Sequence, residues 1–289
     1  MASVDTDSDS ETLRIIEDPS RGFLDSLSPQ VFPCYPYRDR AQFQNDFHHA
    51  LRTTNSTIEW FLVSAVNNQI FTTEFLNAEE PPFSRWCAYD RTAKLLLINM
   101  VKTEAHEMAA NHFDQVFHEA LFSIGMERSL QMPGSATRFA KIGAKEPDRS
   151  WRPISLPRGR LEKWPTVVLE VAYSGTGSKL QADLRYWLTG VRRGAEEEVK
   201  TILTIWIAED EPCVVIERWE NRDGDGRCQQ RVVIKRTCSG QMSITGGPLV
   251  LEFERIFLRA PTIPRERNIE IDDEKLEFVA RRVWSMQGF

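Results

Sequence analysis

Thr166-Val-Val-Leu-Glu-Val-Ala172 followed by Tyr173-Ser-Gly-Thr-Gly-Ser178 and Lys179-Leu-Gln-Ala-Asp-Leu-Arg-Tyr-Trp-Leu-Thr189 is the stretch that decides the fold. The first piece is a continuous apolar run, the pattern of a central strand covered on both faces. The Gly- and Ser-rich piece makes a tight connection, and the third reads as a helix that Gly190 or Gly194 stops. A further apolar run, Lys200 to Ile207, then supplies a second strand. Strand, helix, strand at this spacing predicts an α/β body with a sheet at its centre.

Outward from this unit the texture stays mixed. On the N-terminal side, Trp86 to Tyr89 and Leu95 to Val101 read as strands about a turn at Asp90-Arg91-Thr92. Thr103 opens a long helix with Ala109, Phe113, Val116, Phe117, Ala120, Leu121 and Ile124 on one face, and Gly125 is placed to end it. On the C-terminal side, Cys213 to Trp219, Arg231 to Arg236 and Leu249 to Leu258 read as strands, with a hairpin turn at Asp223-Gly224-Asp225-Gly226. Asp272 to Trp284, with Leu276, Val279, Ala280 and Val283 at helical spacing, predicts a C-terminal helix.

The ends read differently. Prolines 29, 33 and 36 predict an extended connector, and Phe43, Phe47, Ala50 and Leu51, then Ile58, Phe61, Leu62 and Ala65, predict two amphipathic helices within residues 40–76. The expected organisation is an acidic flexible tail over residues 1–25, an N-terminal helical extension over 26–82, the main domain over 83–262, and a C-terminal helix over 263–289.

The 289 residues carry a formal net charge of −6, from 36 basic and 42 acidic side chains. That excludes a protein that coats nucleic acid through bulk positive charge. Most of the excess sits in residues 1–25, where seven acids face only Arg14 and Arg21, leaving the body nearly neutral. Within the body, Arg138 to Lys163 holds eight basic residues against three acidic ones. Trp151 and Trp164 lie in or beside it, where aromatic rings among basic side chains offer stacking for unpaired bases. No apolar run approaches the roughly 20 residues of a membrane helix. Five scattered cysteines without a CxxC pair argue against a zinc site and a disulfide framework. With an N-terminus that lacks secretory or transit features, they predict an intracellular location. The sequon Asn55-Ser56-Thr57 is then a chance match.

The most informative single residue is Glu170. An ionised carboxylate inside a central strand needs a partner, because an unpaired buried charge costs several kcal/mol or more. The partner is an arginine or a metal ion, unless the side chain reaches solvent at a strand end. Asp148, in Lys145-Glu-Pro-Asp148, is the second candidate: if the following segment pairs beside the Glu170 strand, the two carboxylates converge on one divalent cation. Magnesium suits such a site, since it takes one or two carboxylates and leaves its other positions to water and phosphate oxygens. Gly175-Thr-Gly-Ser-Lys179 superficially suggests a phosphate loop, but it is too short, and Leu180 stands where that loop needs its hydroxyl.

In order, these features resemble a known family. Ala88-Tyr-Asp-Arg-Thr-Ala-Lys-Leu-Leu-Leu-Ile-Asn-Met100, then Glu104-Ala-His-Glu107 opening a helix, then Glu146-Pro-Asp148, then Glu170-Val-Ala-Tyr-Ser174, then a helix and Leu203-Thr-Ile-Trp-Ile-Ala208, resemble the Uma-type restriction endonucleases of the PD-(D/E)XK nuclease superfamily. The resemblance spans residues 83–258. It implies a restriction-endonuclease-like mixed central sheet flanked by helices. It also implies a nuclease hydrolysing phosphodiesters, DNA rather than RNA, with Asp148 and Glu170 binding magnesium or manganese. Glu104, His106 and Glu107 match the acidic and histidine positions opening the first helix. The superfamily's usual lysine two residues after the strand Glu is replaced by Ala172, and Lys179 is the nearest substitute, with Asp183 close by. Lys141, Lys145, Arg149 and Arg152 are then the phosphate-binding candidates, and nucleic acid the expected partner. Ala172 leaves a second reading open, that of a catalytically inactive nuclease-fold module binding nucleic acid or protein.

Overall fold

The computed structural model describes residues 12–13, 22–27, 33–53, 59–100, 103–133, 137–189, 198–222, 225–237 and 239–289. Most of the acidic tail, the Asn55 sequon, the helix stops at Gly190 and Gly194, and Asp223-Gly224 of the hairpin turn lie outside the described residues.

Val167–Tyr173 is the central strand of a mixed sheet. It runs parallel to Thr201–Ile207 along its whole length and antiparallel to Arg149–Pro153. Beyond Thr201–Ile207 the sheet continues through Cys213–Arg222, Asp225–Arg236 and Thr12–Leu13, and beyond Arg149–Pro153 it ends on Leu130–Gln131. A parallel pair needs a crossover, and the helix Gly177–Thr189 is part of it.

Strand alternation sorts the central strand's side chains. Val167, Leu169, Val171 and Tyr173 enter one core with the helices Glu104–Ser123 and Asp273–Gln287. Val168 and Ala172 enter another with Leu180, Ala182, Leu184 and Trp187 of the crossover helix, and Glu170 shares their face. Burial on both faces is why the run is apolar without interruption. Mixed sheets flanked by helices are the α/β architecture expected of the sequence.

Two local expectations fail. The second N-terminal helix is instead the strand Trp60–Ser64, paired antiparallel with Leu95–Asn99 and parallel with Cys34–Pro36. Phe61 and Val63 face one core and Trp60 and Leu62 the other, so period two prevails over the apparent helical spacing. The second failure is Leu249 to Leu258, where a strand stops at Leu251 and a short helix, Phe253–Phe257, buries Phe253, Ile256 and Phe257. The first N-terminal helix forms as Arg40–Thr53 with Phe43, Phe47 and Ala50 buried. The C-terminal helix forms as Asp273–Gln287, its first turn capped by Asp272, which accepts the Lys275 N–H at 2.9 Å.

Trp60–Ser64 belongs to a second sheet, ordered Cys34–Pro36, Trp60–Ser64, Leu95–Asn99, Trp86–Asp90, Gly143–Lys145, Arg138–Ala140. Gly143–Lys145 of this sheet runs through Glu146-Pro147-Asp148 directly into Arg149–Pro153 of the first. Asp148 therefore stands at the seam between the sheets. Since Phe61 is wholly buried there, Phe61→Ala is expected to lower unfolding free energy by about 3–5 kcal/mol. The check is urea denaturation by circular dichroism, with the loss appearing in a single cooperative transition.

Candidate functional site

At the seam, Asp148 lies one residue past the last paired position of its strand. Its Oδ2 accepts the Val171 N–H at 2.9 Å, which carries the ladder one step further and fixes the carboxylate beside Glu170. Glu170 is 1% exposed. Its Oε1 accepts the Trp187 indole N–H at 2.7 Å and meets the Lys145 ammonium at 3.1 Å; its Oε2 meets Lys179 at 3.4 Å. Lys179, in the first turn of the crossover helix, also lies 3.8 Å from Asp148 Oδ2 and 3.4 Å from the Val171 carbonyl oxygen. Asp183, one further turn along, holds Lys179 at 2.9 Å and Lys145 at 2.7 Å.

A second arm joins from the long helix. His106 places Nε2 3.1 Å from Asp148 Oδ1 and Nδ1 3.0 Å from Glu59 Oε2. Glu59 also accepts the Thr103 N–H at 2.7 Å, just before the helix begins. Four carboxylates (Glu59, Asp148, Glu170, Asp183) thus surround three cationic side chains (His106, Lys145, Lys179), all almost fully buried.

Mutual pairing sets the ionisation of this cluster. Burial works to lower the His106 pKa, but the charge and hydrogen bond of Asp148, with Glu59 behind, outweigh it and hold the ring up at about 9. Burial opposes the charge on Lys179 too, yet Asp183, Asp148 and Glu170 raise its pKa well above the ordinary lysine value. Lys145 is raised by Asp183 and Glu170 against the same penalty. Burial, with the charges of Asp183 and Asp148, pushes Glu170 up to about 7 against the pull of Lys145 and Lys179.

A cleft of about 370 Å³ opens over the cluster, with Asp148, Lys145 and Lys179 at its base and Trp60, Arg85, Trp86 and Asn99 around it. Cys87 also lines it, but burial pushes its thiol up to about 12, so it is no nucleophile at neutral pH.

Asp148, Glu170, Lys179 and His106 thus come together. Glu104 is exposed, and Glu107 faces Arg149 at 3.9 Å. The phosphate-binding set divides. Lys145 is 1% exposed and committed to Glu170 and Asp183, because its strand faces inward; this corrects its expected role. Arg149 is half-buried and bonds Asn111 and the Asp148 carbonyl, while Arg152, also half-buried, bonds Gln131 and the Glu162 carbonyl. Lys141 is exposed. Trp151 and Trp164 are fully buried, Trp151 donating to Asp114 at 3.0 Å, so neither stacks on a base. Glu59 escaped the sequence reading because its partners are remote in the chain. Asp183 carried a usable signal in its i, i+4 spacing from Lys179.

No family model and no curated protein matches the chain. Among solved structures, it is similar to the crystal structure of a "putative nuclease belonging to DUF820" from Anabaena variabilis, at 13% identity and a TM-score of 0.33, over 66% of this chain and 87% of that one. What the site can do is carried by its own side chains.

Among the described residues no three His, Cys, Asp or Glu side chains group as metal ligands. The donor chemistry at Lys179 is nonetheless that of a hard-cation site, with three oxygens, from Asp148, Glu170 and the Val171 carbonyl, around one positive charge. A hard cation would meet the same three oxygens there.

His106 gives the site a pH signature. Its folded pKa of about 9 lies above the ordinary 6.5, so its contribution to stability is complete below pH 6.5 and lost as pH rises to 9. The raised Glu170 pKa acts in the same direction between its ordinary value of 4.5 and 7. Urea midpoints of the wild type should fall between pH 6.5 and 9, and His106→Gln should flatten that fall.

Proposed function

We propose that the protein is a metal-dependent nuclease whose active site is the Asp148, Glu170 and Lys179 cluster at the base of the cleft. The supporting observation is the convergence of these three side chains, from two adjacent strands and the crossover helix, on one point beside open space. Magnesium or manganese would be held by Asp148 Oδ2, Glu170 Oε2 and the Val171 carbonyl. Once bound, it would polarise the phosphodiester and ease deprotonation of an attacking water.

The chain's own residues do the rest. His106, kept cationic between Glu59 and Asp148, fixes the rotation of the Asp148 carboxylate. Trp187 and Lys145 do the same for Glu170 from the far side. Lys179, anchored on Asp183, offers its ammonium to the charge that builds on the phosphate, the role that Ala172 at 0% exposure does not fill. Nucleic acid is the proposed partner.

One observation favours a non-catalytic nuclease-fold module instead: each carboxylate of the pair already has partners within the chain. A plasmid-nicking assay separates the two. The proposal expects nicking that requires magnesium or manganese and that falls by at least ~10²-fold in Glu170→Ala and in Asp148→Ala. Nucleic-acid binding without metal-dependent nicking would favour the module, and nicking unaffected by either substitution would remove the site.

A further inference from the structure

Lys179 makes contacts of two kinds. Its ammonium lies 3.4 Å from Glu170 Oε2, 3.4 Å from the Val171 carbonyl oxygen and 3.8 Å from Asp148 Oδ2, all longer than a normal charge-assisted hydrogen bond. To Asp183 Oδ2 the distance is 2.9 Å, the shortest of its ion pairs and one made within its own helix. It also lies 4.9 Å from the centre of the Trp60 ring, close enough for a cation–π contact. The ammonium thus lies 3.4–3.8 Å from three oxygens and closer to a fourth, on Asp183, which stands outside that set.

Magnesium binds oxygen at about 2.0–2.1 Å, so a cation at the centre would draw the same three oxygens inward and leave no room for an ammonium among them. Occupancy by one excludes the other. Resting on the nuclease reading above, we propose that Lys179 is a resident counter-ion that a divalent metal must displace, and that Asp183 is the seat on which the displaced ammonium stays. The loose contacts are given up and the tight one kept. Lys145, 2.7 Å from Asp183 Oδ1 and 3.1 Å from Glu170 Oε1, meets the other oxygen of each carboxylate and has no cage contact to lose.

The lysines therefore make a matched pair of probes. Each substitution to methionine removes one buried positive charge at similar distance from Glu170, but only Lys179→Met vacates the cage. Manganese titrations by calorimetry of the full chain are expected to show Lys179→Met gaining at least about tenfold more affinity than Lys145→Met, relative to wild type, since each 1.4 kcal/mol of avoided displacement is tenfold in affinity. If Lys179→Met does not melt cooperatively, the charge-balanced Lys179→Met/Asp183→Asn takes its place and should bind manganese more tightly than wild type. Equal gains in both methionine variants would mean that only the local field matters, overturning the displacement while leaving the nuclease reading intact. Failure of wild type and every variant to bind manganese would overturn both.

Discussion

A buried cluster of charges holds the seam of this protein, and the remaining structure is arranged to make it tolerable. Removing a carboxylate or an ammonium from water costs several kcal/mol each, and only mutual pairing with good geometry offsets it. Glu170 has Lys145, Lys179 and Trp187, and Asp148 has His106, Lys179 and the Val171 N–H. Asp183 ties the two lysines together from the crossover helix. Loss of any one partner weakens the compensation of the charges it met, so the cluster couples the first sheet, the second sheet and two helices.

The same arrangement gives the site its chemistry. Antiparallel pairing of Arg149–Pro153 with Val167–Tyr173 sets Asp148 beside Glu170, and the parallel pair with Thr201–Ile207 requires the crossover that carries Lys179 and Asp183 back over the sheet. Apolar cores on both faces keep the surroundings dry, which raises the Glu170 pKa to about 7 and strengthens every charge contact. A cleft lies above, bounded in part by Trp60 from the second sheet, whose ring faces the Lys179 ammonium.

Much of this was legible from residue patterns. The unbroken run around Glu170 announced a covered central strand, the need of a buried carboxylate for a shared cation pointed to Asp148, and Lys179 followed from the family resemblance. The rest depended on contacts between residues far apart in the chain. Trp60–Ser64 is short and apolar on both faces, which spacing alone does not distinguish from a helix. The basic stretch looked like a surface for phosphates, yet Lys145, Arg138 and Arg160 turn inward, to ion pairs and to carbonyl oxygens. Glu59 became visible only when its strand was placed beside the long helix, where His106 bridges it to Asp148.

The central claim is that Asp148, Glu170 and the Val171 carbonyl form a cation cage that Lys179 fills in the absence of metal. Its most direct test is a crystal structure of the wild-type protein soaked in saturating manganese, phased at the manganese edge. The account predicts one anomalous peak bounded by those three oxygens, with the Lys179 ammonium withdrawn onto Asp183. A cage without anomalous density and with Lys179 still between the two carboxylates, or a peak elsewhere in the molecule, would contradict it.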